Sequence, residues 1–276
     1  MAFWGHSFVF NEIPCEDFDL MMYDFGSASQ SQGSFAGGAT IVESHVPRKW
    51  KPYFYGTKIE GKLSFTMVFG VNIKRLDEEK YLDRYEMEAI ASWLTGHKKY
   101  MWLEIEQDDM RYYRYHCMIT NLAMVEYGNI PWAFQAAVEC DGPYAYLYPQ
   151  TFSYNIQSGE TQITIFNEGS YNGYFYPVIN VGIGETAPTY LSIINNSDND
   201  YEFKLGNDID VIPSTATALT IDNDHGVMSC PEGLNLYKMF NFHFFRLLRG
   251  QNNITVSTDA SLTLSFVCEF PINIGG

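Results

Sequence analysis

The sequence predicts a mainly β protein: an N-terminal α+β domain with one helix, followed by a C-terminal β-sandwich or jelly roll. Three observations support this fold class. The 276 residues include 20 Tyr and 20 Phe, and aromatic side chains pack well on pleated sheets. Short stretches of alternating side-chain character, bounded by turn residues, occupy most of the chain. Apolar residues recur convincingly at helical spacing in one segment, residues 77–95.

The first half of the chain predicts a sheet. Its clearest strand is 59–69, in which Leu63, Phe65, Met67 and Phe69 fall on one face. Further strands are predicted at residues 3–10, 100–106, 112–119, 117–127 and 132–140. The second and third of these flank a short polar turn, so they are expected to form a hairpin.

The helix is predicted over residues 77–95. Asp77 is its expected N-cap, and Gly96 takes the position that usually ends a helix. Its buried stripe is expected to comprise Leu82, Tyr85, Ala89, Ile90, Trp93 and Leu94.

A domain boundary is predicted after the strand 132–140. Asp141-Gly142-Pro143 ends this strand, because Pro cannot donate to a sheet ladder. Residues 1–145 hold 13 Lys/Arg and 20 Asp/Glu, a net of -7, whereas residues 146–276 hold 4 and 13, a net of -9. We therefore expect domains at residues 1–147 and 148–276.

The second half of the chain predicts many short strands. They are expected at 151–157, 161–166, 175–182, 189–194, 200–205, 209–212, 217–221, 244–248, 253–256 and 261–268. Strands of this length, separated by dense turn signals, are typical of a sandwich or jelly roll. Asp222–Gly226 is predicted to be a tight hairpin turn, and its glycine stands too early for a calcium loop of the EF-hand kind. Asn195–Asp200 is expected to be a solvated loop, with a weak cation site as the alternative.

Charge and composition argue against several classes of function. The net charge is -16 and the isoelectric point is near 4.6, which disfavours binding to nucleic acid or to anionic lipid. No apolar run approaches the ~18 residues that a membrane span needs. The start, Met1–His6, has no basic and apolar pattern of a secretory leader, so synthesis in a cytoplasm is expected.

No catalytic or cofactor motif stands out in the sequence. The five cysteines are widely spaced and are expected to be buried free thiols rather than a disulfide framework or a zinc site. The six histidines form no metal-binding spacing, and no nucleophile motif or dinucleotide fingerprint is present. We expect no enzyme activity, no metal and no cofactor.

Two segments of the first half are candidate contact surfaces. Arg48, Trp50, Tyr53 and Tyr55 combine cations with aromatic rings, as the anchors of protein interfaces do. The Ser- and Gly-rich segment 26–38, which contains Phe35, is either a flexible loop or an arm that orders against a partner.

Carbohydrate binding is a second possible function for the sandwich. All five tryptophans lie in the first half, whereas sugar platforms are usually built on Trp. Tyr171, Tyr174 and Tyr176 are available as substitutes. A stand-alone module that recognises host cell-wall glycans therefore remains the alternative.

The sequence resembles the distal tail (Dit) proteins of phages with long, non-contractile tails, mainly those that infect Gram-positive hosts. The resemblance spans nearly the whole chain. It rests on Phe8-Val-Phe10-Asn11, Cys15–Leu20, Leu63–Phe69, Trp93–Gly96, Val138–Tyr146 and Phe245–Val256. Glu12 and Asp19 depart from it, because the family pattern has Gly at both positions.

The resemblance implies a structural hub in the virion, at the tail tip or baseplate. The first domain is expected to form a ring, commonly of six copies, and the second to be a galectin-like sandwich. The expected partners are the protein itself, the tail tube protein, the tail-tip protein and a receptor-binding protein. We hypothesise that residues 46–56 and 26–38 contribute to ring or tube contacts.

Overall fold

The computed structural model of the protein describes residues 6–23, 39–59, 61–72, 74, 81–108, 112–127, 130–206 and 209–273. The chain divides into two compact units, Met1–Tyr146 with Asn273–Gly276, and Leu147–Ile272. Strands dominate both units, and the described residues contain one α-helix. The predicted fold class, mainly β with one N-terminal helix, is confirmed.

The N-terminal unit is built on one antiparallel sheet with the order β2-β1-β7-β8-β9-β6-β3. The strands of this half are β1 (Ser7–Phe10), β2 (Ile13–Pro14), β3 (Leu20–Met22), β4 (Ala39–Ser44), β5 (Tyr53–Ile59), β6 (Ser64–Val71), β7 (Met101–Glu106), β8 (Tyr113–Tyr127), β9 (Ile130–Cys140) and β10 (Ala145–Leu147). Strand β9 pairs with β8 on one side and with β6 on the other. The predicted strands 112–119 and 117–127 are one continuous strand, β8, which two register shifts bend along its length.

Helix α1 (Arg84–Thr95) begins later than predicted. Asp83, not Asp77, is its N-cap: the Asp83 carboxylate accepts from the Glu86 N–H at 2.8 Å, and the Glu86 carboxylate accepts from the Asp83 N–H at 2.9 Å. This reciprocal capping box satisfies two free donors of the first turn. Gly96 does end the helix, but with a right-handed φ of -71°. A Cβ at this position would clash with the Ser92 carbonyl oxygen, so close approach explains the glycine.

The buried face of α1 is narrower than predicted. Ile90, Trp93 and Leu94 are buried, whereas Tyr85 is 82% exposed and Ala89 is exposed as well. The reason is geometric, because the contact of a short helix with one sheet covers a single stripe of side chains.

Trp93 joins α1 to the sheet. Its ring stacks on Phe18 at a centroid distance of 4.6 Å and on Phe8 at 5.7 Å. Its indole N–H donates to the Phe10 carbonyl at 3.1 Å. The buried indole therefore contributes apolar contact and also satisfies its polar atom, as buried Trp requires.

Glu12 and Asp19, the two positions that depart from the sequence resemblance, both adopt left-handed backbone. Their φ angles are 66° and 53°. Glu12 lies in the turn between β1 and β2, and Asp19 ends the 3-10 helix Cys15–Phe18. Glycine would therefore be the least strained residue at both positions.

The C-terminal unit consists of two antiparallel sheets with the orders β11-β19-β13-β16-β17 and β12-β18-β14-β15. The strands of these sheets are β11 (Gln150–Ile156), β12 (Gly159–Asn167), β13 (Val178–Ile183), β14 (Leu191–Asn195), β15 (Tyr201–Leu205), β16 (Ala218–Asp222), β17 (Val227–Ser229), β18 (Gly250–Thr258) and β19 (Leu262–Cys268). A short last strand, β20 (Pro271–Ile272), lies outside both sheets. Burial alternates along most of these strands, so each sheet has one buried and one solvated face. This is the predicted sandwich.

Two predicted strands of this unit are wrong. Residues 209–212 form no strand, and 244–248 contribute only an isolated bridge between Phe175 and Leu247. In the second segment, side chains replace a strand ladder: Asn223 accepts from the Phe245 N–H at 2.8 Å, and Asn195 donates to the Arg246 carbonyl at 3.0 Å. Strand β17 was not predicted.

Candidate assembly surface

Strands β4 and β5 form a hairpin outside the main sheet of the N-terminal unit. They pair from Ala39 with Ile59 to Ser44 with Tyr53, with a register shift between Val42 and Glu43. In the part of the chain that the structure describes, this two-stranded sheet pairs with no other strand. A two-stranded ribbon alone is of marginal stability in water, so it is a candidate for stabilisation by a partner.

The hairpin exposes large apolar side chains on both faces. Trp50, in the turn, is 93% exposed, and Phe54 and Tyr55 are 64% and 68% exposed. Tyr53, which is 50% exposed, and Phe54 are successive residues in register with Ser44 and Glu43, so their side chains point to opposite faces. Exposed apolar surface concentrated in one segment is a mark of an interaction site.

The predicted contact residues fall on this hairpin, with one exception. Trp50, Tyr53 and Tyr55 are exposed there, and Arg48 lies in the turn with a left-handed φ of 69°. Phe35 lies outside the described residues. Whether these side chains contact a partner stays a prediction.

Sequence reasoning missed the opposite strand. Ile41 and Val42 of β4, which pair with Thr57 and Gly56 of β5, are 60% and 42% exposed, and Phe54 was not singled out. The signal was present, because two adjacent β-branched residues lie in a short run that reads as a strand.

The hairpin is also the basic part of an acidic chain. Residues 45–59 hold four Lys/Arg and no Asp/Glu, in a chain of net charge -16. The Lys49 ammonium lies 3.3 Å from the centroid of the Tyr53 ring. Such mixed aromatic and cationic surface suits an acidic partner.

The main sheet carries a polar cluster of His116, Asp141 and Tyr146. His116 Nδ1 lies 2.7 Å from Asp141 Oδ2, and the Tyr146 hydroxyl donates to both Asp141 oxygens at 3.1 Å. The Trp102 ring packs against the imidazole at a centroid distance of 4.6 Å. Among the described residues, no hydroxyl or thiol hydrogen-bonds to His116, so the pair lacks the nucleophile of a hydrolytic triad.

The described residues also lack the side-chain groups of a metal site and a helix that could span a membrane. They contain no group of three His, Cys, Asp or Glu side chains close enough to hold a metal ion. None of their helices has the length and apolar character of a membrane span.

The loops singled out for cation binding have other roles. Asp222 accepts from the His225 N–H at 3.0 Å in a tight turn between β16 and β17, as predicted. The segment 195–200 is not a purely solvated loop, because Asn195 and Asp198 are buried and Asp198 pairs with Arg246.

The cysteines are free, and four are fully buried: Cys15, Cys117, Cys140 and Cys268. Burial raises the pKa of Cys15 to about 11 and the pKa values of Cys140 and Cys268 to about 12. It also raises the pKa of Cys117. Cys230 is the exception to the predicted burial, since its side chain is partly exposed.

Known structures share this architecture. The Dit protein of phage SPP1, described as a paradigm of the hub adsorption apparatus in phages that infect Gram-positive bacteria, superposes with a TM-score of 0.63 at 12% identity, over 96% of this chain and 98% of that one. A chain of the phage P2 baseplate in its activated conformation with Ca superposes with a TM-score of 0.54 at 9% identity, over 99% of this chain and 100% of that one. A chain of the phage P2 baseplate in its activated conformation with Sr superposes with a TM-score of 0.52 at 10% identity, over 95% of this chain and 97% of that one.

Family models match both halves of the sequence. Residues 3–142 match the phage tail protein N-terminal domain, and residues 144–266 match the phage tail C-terminal domain. No curated protein sequence matches the chain. The two domain matches and the Dit-like fold agree with the resemblance drawn from the sequence, and the chain belongs to the phage tail protein family.

Proposed function

We propose that the protein is a distal tail hub, a structural virion component of the tail tip or baseplate. In this role copies of the chain, six by the family resemblance, form a ring through their N-terminal domains, residues 1–147. The ring joins the tail tube protein to the tail-tip protein and carries adhesion components such as a receptor-binding protein. The galectin-like sandwich, residues 148–276, lies outside the ring contacts. The role is assembly rather than catalysis, and the chain is made in the host cytoplasm.

The observation that carries this proposal is the β4–β5 hairpin. In an isolated chain, a two-stranded ribbon that exposes Trp50, Phe54 and Tyr55 to water is only marginally stable. The same surface is a suitable anchor once a neighbouring subunit covers it.

Charge supports the same use of the hairpin. Copies with a net charge of -16 repel one another, so ring contacts need local attraction. The four basic residues of segment 45–59 provide it if they face acidic surface on the next copy.

The test is the mass of the purified full chain in solution, measured by light scattering over a range of concentrations and salt strengths. Assembly into a ring of several copies supports the hub. Phe54→Asp, which puts a charge on the hairpin, should abolish assembly while the chain remains folded. Tyr85→Asp, on the exposed face of α1, is the matched control and should assemble as the unmodified chain does.

Two results would contradict the proposal. One is a monomer at every concentration and salt strength, also in the presence of tail tube and tail-tip proteins. The other is assembly that Phe54→Asp leaves intact. Deletion of residues 26–38 separately tests the second contact segment, since an unchanged ring would remove that segment from the interface.

A further inference from the structure

The C-terminal unit holds the guanidinium group of Arg246 in a fixed position. Its carbon lies 3.7 Å from the ring centroid of Tyr174 and 3.9 Å from that of Tyr201. Its Nε donates to Asp198 Oδ2 at 2.6 Å, and the Asp198 side chain is 5% exposed. Two aromatic contacts and one charge-assisted hydrogen bond therefore orient the planar group.

The backbone that carries Arg246 is also fixed. The flanking side chains of Phe245 and Leu247 are fully buried. Leu247 exchanges two backbone hydrogen bonds with Phe175, at 2.9 and 2.7 Å, and Asn195 donates to the Arg246 carbonyl. A side chain anchored in this way loses little conformational freedom when it binds a ligand.

The terminal nitrogens of Arg246 remain available for a ligand. Neither donates to a described residue, neither is completely buried, and the Arg246 side chain as a whole is 21% exposed. Their N–H groups form the fork that matches the two oxygens of a carboxylate or phosphate. Arg246 is one of only four cationic residues in positions 146–276, which makes an oriented guanidinium there unusual.

The surroundings of the fork suit a ligand that has both C–H faces and hydroxyl groups. Tyr174 is 42% exposed, and the exposed His243 ring stacks on Tyr201 at a centroid distance of 5.2 Å. Within the described residues, neither phenol hydroxyl nor the His243 imidazole has a hydrogen-bond partner. Phe242, next along the chain, is 69% exposed and has a left-handed φ of 61°, which is uncommon for a bulky residue.

Charge restricts the ligand further. Residues 146–276 carry a net of -9, which repels acidic protein surfaces and highly charged polymers. A ligand with one acidic group gains the fork contact with the least repulsion. We propose that Arg246, with Tyr174, Tyr201 and His243, binds a saccharide that carries one carboxylate or phosphate group. This site is separate from the hairpin and goes beyond the hub role.

The test is a calorimetric titration of the full chain with glucuronate and with glucose 6-phosphate. We expect a Kd of about 1 mM for one or both, and binding at least about tenfold weaker for glucose and for acetate. Arg246→Lys keeps the charge but loses the planar fork, and should weaken binding about tenfold. Arg249→Gln is the control, because Arg249 is exposed and bonds to Asn172; its binding should stay within about twofold.

Replacement of Arg246 leaves the buried Asp198 without its partner, so a second pair of variants protects the test against misfolding. Tyr174→Ala and His243→Ala retain the ion pair and should each weaken binding about three- to tenfold. The proposal is overturned if neither glucuronate nor glucose 6-phosphate binds with a Kd below about 20 mM. It is also overturned if Arg246→Lys and Tyr174→Ala leave the Kd unchanged.

Two other results would also overturn it. Acetate binding as tightly as glucuronate would reduce the site to a general anion site. A peptide with a single Glu binding as tightly would assign it to a protein carboxylate. Ring formation, followed by mass, does not depend on these titrations, so the hub and the saccharide site can fail independently.

Discussion

Trp50 is the residue whose replacement tests the assembly surface most directly. Its side chain is 93% exposed, so Trp50→Ala removes almost no packing within the folded chain. We expect the free energy of unfolding of the monomer to change by less than about 0.5 kcal/mol, as for most surface substitutions. Assembly, in contrast, should be strongly weakened.

The size of the effect follows from the area that the indole can bury. A Trp side chain that enters an interface removes about 200 Å² from water. At about 25 cal/mol per Å² this corresponds to about 5 kcal/mol as an upper value. Incomplete burial and lost side-chain freedom reduce it, and truncation of Trp anchors typically costs about 2–4 kcal/mol. Each interface should therefore weaken by about 30- to 1,000-fold.

The assay compares two measurements on the same preparations. Sedimentation or light scattering gives the assembled fraction over a concentration series, and thermal unfolding gives monomer stability. Tyr85→Ala is the control, since Tyr85 is 82% exposed and belongs to α1 rather than to the hairpin strands. Undiminished assembly of Trp50→Ala, or equal losses in both variants, would refute the reasoning.

Three further predictions concern stability and reactivity. Glu12→Gly should stabilise the protein by about 0.5–1 kcal/mol in urea unfolding, because the left-handed turn at φ 66° strains a residue with a Cβ. Asn252→Ala should destabilise it by about 3 kcal/mol, because the fully buried amide makes hydrogen bonds to the backbone of 248 and 250 and to Asn195 that no water can replace. An aromatic disulfide reagent should modify Cys230 first, and the four buried thiols only on unfolding.

Each of these predictions has an internal control. Glu12→Ala should show no gain, so equal stabilisation by Ala and Gly would exclude backbone strain as the cause. Asn253→Ala, one position away and exposed, should cost less than about 1 kcal/mol. Two or more fast-reacting thiols in the folded protein would show that the cores open more readily than their burial indicates.

The strands were predictable because their signal is local. The predicted strand 59–69 alternates with period two from Leu63 to Phe69, and the structure places its second part in β6, which starts at Ser64 and pairs with β9. The helix start was predictable in principle but missed. Asp77 and Asp83 are both possible caps, and only Asp83 has a Glu three positions later to complete the capping box. A single capping residue is therefore weaker evidence than a reciprocal pair.

The features that the sequence did not predict depend on contacts between distant parts of the chain. Residues 244–248 have the composition of a strand, yet the side chains of Asn195 and Asn223 take the place of strand partners. The Arg246 cluster joins Tyr174, Asp198 and Tyr201, which lie 45 to 72 positions earlier, so no window of sequence contains it. The exposure of the hairpin could not be predicted either, because alternation of side-chain character does not show whether other parts of the chain pack on its two faces.

The solitary pairing of β4 with β5 has a consequence for how a ring would form. Among the described residues the ribbon pairs with no other strand, so we expect each association step to supply part of the free energy that keeps it ordered. Short open arcs would then be unfavourable, because their end subunits carry an uncovered ribbon. The last subunit closes two contacts while losing its freedom of motion only once. Intermediates between one copy and the closed ring would therefore be scarce, and assembly would rise steeply above a threshold concentration.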